Sequence, residues 1–251
     1  MTTLAERLDG RRVGLALASG FFGFFHHAGV LRALHERGVR PVHITGNSAG
    51  ALVAAMYAAG REPRDICEEL LTVRRRDFWD PHFPFSPDGF GLLAGHRFAA
   101  RLSAVLPVHS CERCRIPVAV GAFDIDEGRV RHLGSGPLIP ALLASCAVPY
   151  LFQPVRIDGR RLVDGGLGEK TPLVPFLGPG DVDVVVVSYL PPRRGTRLPL
   201  AGPLADTPAE ERLLRDVCSA ELLAGAGIEV VVLTPERVAL GPFSLERAPA
   251  A

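Results

Sequence analysis

Short apolar runs alternate along this chain with longer segments whose apolar residues fall three and four apart. Val13–Ala18 is apolar without a break and reads as a buried strand. It runs into the turn Ser19-Gly20-Phe21-Phe22-Gly23 and then a helix around His27–Arg37 that Gly38 stops. Val42–Thr45 predicts a second strand, and Ser48–Ala59 the helix after it, closed by Gly60. Helical spacing returns in Pro63–Val73 and Leu92–Val105; between them Arg74–Phe90, rich in aromatics and proline, reads as a loop or cap. Pro117–Ile125 predicts a strand, with Arg129–Leu133 as its hairpin partner across Asp126-Glu127-Gly128. Leu138–Ser145 follows as a short helix, and Val155–Ile157 and Arg161–Val163 flank the turn Asp158-Gly159. Asp183–Tyr189 is a further core strand, Pro191–Pro208 a loop, Thr207–Ala224 a helix and Glu229–Leu233 a last strand. Strands alternating with helices predict an α/β domain with a mainly parallel central sheet and helices on both faces.

Candidate chemistry starts at Gly46-Asn47-Ser48-Ala49-Gly50, which joins the second strand to its helix. Small residues two before and two after a serine allow a sharp strand–turn–helix. Such a turn lifts the hydroxyl out of the sheet, over the positive end of the following helix. The pentapeptide alone is weak, and a plain Gly/Ser turn with Ser48 as an N-cap is the competing reading. The earlier turn around Gly20 and Gly23 offers unpaired backbone N–H groups that suit an anion or oxyanion. A dinucleotide site would need Gly-x-Gly-x-x-Gly and an acidic residue ending the second strand, where this chain has Thr45-Gly46-Asn47-Ser48. A third element, Leu162-Val163-Asp164-Gly165-Gly166, ends a β run with a carboxylate and two glycines, which is also what an ordinary β-turn looks like. In an α/β-hydrolase the order is Ser, acid, His; here only two strands precede Ser48 and no histidine follows His132. A triad from Asp88 with His96, His109 or His132 stays open on order alone. The remaining arrangement pairs Ser48 with Asp164.

Together these motifs resemble the patatin-like phospholipases, which use a Ser–Asp dyad without histidine. The resemblance runs from about Arg12 to Leu173. It includes His27-Ala28-Gly29-Val30-Leu31-Arg32-Ala33-Leu34 after the first turn, the elbow with Ile44-Thr45 before it, Ala144-Ser145-Cys146-Ala147-Val148-Pro149 with Phe152-Gln153-Pro154, and Asp164-Gly165-Gly166 with Pro172-Leu173. It implies a three-layer patatin-like α/β fold. Ser48 would be the nucleophile and Asp164 its base. Gly20, Phe21, Phe22, Gly23 and Ala49 would form the oxyanion hole, Gly46, Asn47 and Gly50 the elbow, and Gly165 and Gly166 the loop beside the base. The implied substrate is a lipid ester, cleaved through an acyl-enzyme with neither cofactor nor metal. One departure stands out: Gly23 sits where the family usually has Arg or Lys, and Phe24 where it has a last Gly. A lipid-binding or regulatory member without turnover, and an acyltransferase, are the alternative readings.

Composition narrows the setting. Hydrophobic residues are 47% and charged residues 22%, enough for a substantial core. Lys+Arg is 28 against Asp+Glu 27, a balance that argues against nucleic-acid binding. Five scattered cysteines fit a reducing compartment. With no apolar leader in residues 1–11, the expectation is a cytoplasmic protein, peripheral at the inner membrane surface. Residues 1–11 would be a short N-terminal leader, 12–236 the catalytic domain and 237–251 a tail. Cys111 and Cys114, with His109 nearby, have half of a zinc spacing and lack the second half. Phe21-Phe22-Gly23-Phe24-Phe25 reads either as an acyl-chain wall or as core. Arg74-Arg75-Arg76-Asp77-Phe78-Trp79, followed by Phe83 and Phe85, suits transient contact with anionic headgroups or, alternatively, a helix end and folded cap.

Overall fold

A computed structural model describes residues 3–20, 23–178, 182–191 and 209–234. In chain order the elements are α1 (Leu4–Leu8), β1 (Val13–Leu17), α2 (Phe24–Glu36), β2 (His43–Asn47), α3 (Ala49–Ala58) and α4 (Pro63–Leu71). A 3-10 turn, Arg75–Asp77, leads to β3 (Phe85–Ser86), β4 (Gly89–Leu93) and α5 (His96–Val105). After a second 3-10 turn, Cys111–Arg113, come β5 (Val118–Asp124), β6 (Arg129–Leu133), α6 (Leu138–Ser145), β7 (Tyr150–Phe152), β8 (Val155–Ile157) and β9 (Arg160–Asp164). Two more 3-10 turns, Gly165–Leu167 and Val174–Leu177, precede β10 (Val184–Ser188), α7 (Ala209–Gly225) and β11 (Glu229–Leu233).

The main sheet runs β11-β10-β1-β2-β5-β9-β8, with β6 also on β5. From β11 to β5 every pairing is parallel; β6 and β9 meet β5 antiparallel. β1, β2 and β10 are buried at all positions, as central strands covered on both faces must be. The period of two sorts β10 between the faces. Val184 and Val186 join the larger core with residues of α2 to α6, while Val185 and Val187 pack with Phe176 and Leu223 of α7 on the other side. The layers are therefore helix, sheet, helix. At the N-terminus Leu8 of α1 is buried in the larger core, and Arg7 and Arg11 both pair with Glu229 of β11.

One feature of topology positions the site. Val118–Gly121 of β5 pair with β2, and Ala122–Asp124 pair with β9 on the same edge, β6 holding the other. Because β2 is parallel and β9 antiparallel to β5, the two run head-on. Their last residues, Asn47 and Asp164, stand opposite the consecutive residues Gly121 and Ala122.

Two expectations are corrected. The helix expected over Leu92–Val105 is split: Gly89–Leu93 is strand β4, and α5 starts at His96. The break is chemical, since Gly95 takes φ +83° and both carboxylate oxygens of Asp80 accept backbone N–H bonds, from Gly95 and Arg97, at 3.1 Å each. The region expected as a loop, Arg74–Phe90, also contributes β3 to a small second sheet, β3-β4-β7, whose third strand was not foreseen. Most of the loop expected over Pro191–Pro208 and the segment from Arg237 lie outside the described residues.

Candidate active site

Ser48 takes φ +51°, ψ −117°, a region that a residue with a Cβ occupies only under strain of order 1–3 kcal/mol. Its neighbours explain how the strain is held. A Cβ on Gly46 would stand 2.4 Å from the carbonyl carbon of Gly50, and one on Gly50 would stand 2.3 Å from the Leu17 carbonyl oxygen. The elbow is thus pressed against itself and against the end of β1, with room for backbone only. Ser48 is half-buried at the start of α3, and its own N–H donates to Ser145 Oγ at 3.0 Å.

Asp164, 8% exposed, ends β9, and its Oδ1 accepts from Gly166 N at 2.8 Å. Its backbone N–H donates to Ala147 O at 3.0 Å, while the neighbouring Cys146 thiol donates to Ser48 O at 3.4 Å. Ser145-Cys146-Ala147 therefore ties the elbow to the backbone at the end of β9. Burial, with the Asp164 charge close by, pushes the Cys146 thiol well above its usual range, so it stays a protonated donor. Asn47 adds a second tie: Nδ2 donates to Glu169 O at 3.0 Å, and its side chain fills the space where Gly121 or Gly165 would carry a Cβ.

The first Gly-bearing turn joins this cluster. Ser19 Oγ lies 2.7 Å from where a Cβ on Gly166 would be, and a Cβ there would also meet Asp164 Oδ1 at 3.0 Å. Ser19 is clamped from both sides by Lys170: Ser19 N donates to Lys170 O at 2.8 Å, and Lys170 Nζ donates to Ser19 O at 2.7 Å. Gly23 differs from its expected role. Its N–H donates to Gly20 O at 2.9 Å, closing the turn, so it is not an oxyanion donor in this conformation. Among the described residues the N–H groups of Gly20 and Ala49 have no acceptor. Phe21 and Phe22, the other expected members of the hole, lie outside the described residues.

His27, His109 and His132 are each engaged by the scaffold. His27 Nε2 meets Ala18 O and Nδ1 meets Ser188 Oγ, both at 2.8 Å, so Nε2–H donates and Nδ1 accepts. Burial brings its imidazole down to about 3, keeping it neutral at the junction of β1, β10 and α2. His109 faces Ser103 O, and His132 pairs with Glu169 at 2.7 Å. Asp88, the acid of the alternative triad, is engaged by Arg156. All five cysteines are unpaired.

Sequence reasoning missed Ser145, Lys170 and Asp216, none of which sits in a motif whose chemistry is legible by itself. Asp216 on α7 is buried and accepts from the N–H groups of Lys170 (3.1 Å) and Thr171 (3.3 Å), with Oδ2 unpartnered. Burial raises its carboxyl to about 6. It anchors from below the segment that holds Ser19.

The family model for patatin-like phospholipase matches residues 15–177. An uncharacterised NTE family protein of Mycobacterium tuberculosis is 34% identical over 169 residues, which are 66% of this chain and 46% of that one. Lysophospholipase NTE1 of Cryptococcus neoformans is 30% identical over 193 residues, 73% of this chain and 12% of that one. The chain thus spans less than half the length of these curated relatives. Among solved structures, VipD from Legionella pneumophila superposes with a TM-score of 0.49 at 13% identity, covering 95% of this chain and 64% of that one. The family-model match over most of the chain places it in the patatin-like phospholipase family.

Proposed function

We propose that this protein is a serine acyl hydrolase that cleaves fatty acyl esters of lipids, phospholipids or lysophospholipids being the first class to test. Ser48 Oγ attacks the ester carbonyl as its proton passes to Asp164. The oxyanion forms against the Ala49 N–H and the N–H groups of the Gly20 turn. As the tetrahedral intermediate collapses, the leaving alkoxide takes the proton from Asp164. Water, deprotonated by the same carboxylate, then attacks the acyl-Ser48 ester, and the fatty acid leaves as the proton returns to Ser48. Every step uses groups of this chain.

The observation that carries this reading is the head-on meeting of β2 and β9. Asn47 and Asp164 stand at adjacent registers of one strand, so the strained Ser48 that follows Asn47 and the buried carboxylate belong to one junction, with Cys146 between them. Membership of a phospholipase family and likeness to a lysophospholipase support the lipid substrate. Reaction at a lipid surface, reached from the cytoplasm, fits five unpaired thiols and the finding that no helix among the described residues is long and apolar enough to cross a membrane.

A second reading has its own observation. Gly23 closes the first turn with the N–H that would otherwise be offered to an oxyanion, which favours a lipid-binding member without turnover. A chromogenic ester panel of increasing acyl length, run with fluorophosphonate labelling on wild type, Ser48→Ala and Asp164→Asn, decides. Turnover and labelling that vanish with Ser48 support the hydrolase; a folded wild type that neither turns over nor labels supports the binder. An acyltransferase would give acyl product only when an alcohol acceptor is added.

A further inference from the structure

The small sheet β3-β4-β7 presents an unusual face. Phe83 and Phe85 are 69% and 65% exposed, and Trp79 and Leu92 are 44% and 41% exposed. These residues are not scattered. The Phe83 and Phe85 rings lie 5.9 Å apart, Phe85 packs on Phe90 at 5.4 Å, and the backbone N–H of His82 donates to Leu92 O, which brings the Trp79–Phe85 segment alongside β4. Clustered apolar exposure of this kind marks an interaction surface.

Charge identifies the partner. Arg74 serves the end of α4, donating to Leu71 O and Val73 O. Arg75 and Arg76 do not: the Arg75 guanidinium lies 4.0 Å over the Trp79 ring, and neither residue forms an ion pair among the described residues. The acids nearby are engaged. Asp77 accepts from Arg74 N, Asp80 from the start of α5, and Asp88 from Arg156. The face therefore offers aromatic rings with the Arg75 guanidinium over one of them and without an ion-pair partner among the described residues, the pairing suited to acyl chains below and phosphates above.

We propose that this face, Trp79, Phe83, Phe85 and Leu92 with Arg75 and Arg76 beside them, is the surface by which the protein seats on an anionic lipid bilayer. Its purpose rests on the hydrolase reading, since the surface is wired to the site. β7, the third strand of the sheet, begins three residues after Ala147, whose carbonyl accepts the Asp164 N–H, and Gln153 Nε2 donates to Phe83 O. Seating the sheet brings this connection against the lipid.

The test is co-sedimentation with vesicles of phosphatidylcholine alone and of phosphatidylcholine with phosphatidylglycerol, at low and high salt. Wild type and Ser48→Ala are expected to bind the anionic vesicles equally, and less at high salt. Phe83→Ser/Phe85→Ser should lose at least about ten-fold in partitioning to both vesicle types, from the apolar area withdrawn. Arg75→Gln/Arg76→Gln should lose about five-fold per arginine on anionic vesicles only, and with it the salt dependence. Turnover of a soluble short-chain ester should be unchanged in both surface variants, so a dead nucleophile and a wrong docking face give different results. Wild type that ignores vesicles, or surface variants that bind as wild type does, overturns the proposal. So does a wild-type dimer on size exclusion that Phe83→Ser/Phe85→Ser converts to monomer, which would assign the face to a second copy.

Discussion

The elbow and the small sheet solve opposite problems with opposite residues. Around Ser48 the side chains are small or missing, backbone presses on backbone, and the ends of β1, β2 and β9 meet along β5 and its neighbours. Around Phe83 the side chains are among the largest available, and they point away from the core. The first region achieves geometry by excluding side-chain volume, so almost any added atom must disturb it. The second carries chemistry on its surface, where substitution leaves the fold alone. Substitutions should therefore separate the two cleanly.

The largest expected effects are catalytic. Ser48→Ala and Asp164→Asn should each lower kcat for ester hydrolysis at least about 10³-fold, whereas Ser48→Ala should shift unfolding free energy by no more than about 1 kcal/mol. Equal turnover in either variant would remove that residue from the mechanism.

Next come the elbow glycines. Gly50→Ala places a methyl 2.3 Å from the Leu17 carbonyl oxygen, and Gly46→Ala places one against the Gly50 backbone. Because backbone cannot step aside as a side chain can, roughly 2–4 kcal/mol should be lost from denaturant unfolding. Wild-type stability in Gly50→Ala would mean that α3 does not lean on β1 as described.

The buried carboxylate under the Lys170 segment gives a pH signature. Asp216 titrates at about 6 in the folded protein against an ordinary 3.8, because burial favours its neutral form. Its contribution to stability is present below 3.8 and lost as the pH rises through 6, up to about 3 kcal/mol. His27, held near 3, acts in the other direction: its contribution is present above 6.5 and lost as the pH falls toward 3. Comparing wild type with Asp216→Asn cancels the histidine, and melts at pH 4 and pH 8 should show the variant gaining on wild type at the higher pH. A constant difference across that range would place the Asp216 carboxyl in water.

Ser145→Ala should cost about 1–3 kcal/mol by leaving the Ser48 N–H without its acceptor. At the opposite pole, Phe83→Ser or Phe85→Ser should alter unfolding by less than about 0.5 kcal/mol. A loss at Phe83 as large as that at Ser145 would show the small sheet to be structural and erase the contrast.

What was legible in the sequence follows the same division. The geometry of the elbow could be read because it is written in neighbours: strand, Gly-x-Ser-x-Gly and helix are contiguous. The order of β1, α2, β2 and α3 followed from periodicity for the same reason. β4 and β7 could not be read, because they pair across a long stretch of chain and the leucines of β4 also satisfy a helical spacing. Asp216 gave no signal, since its role depends on α7 folding back under a loop some forty-five residues away. The role of Gly23 was misjudged because a glycine in a turn says that the backbone is permissive, not where its N–H points.

Two strands that arrive head-on against one edge of β5 have a consequence for how the protein is made. Ser48 and Asp164 lie more than a hundred residues apart, and the second is fixed only when β9 turns back onto a strand that β2 has already joined. Such late, non-local closure is slow compared with forming the elbow itself. During synthesis the chain would hold Ser48 without Asp164 in place until most of the sheet has closed. On the mechanism proposed above, a nascent chain would therefore be chemically silent toward lipids, with reactivity arising only from the finished topology.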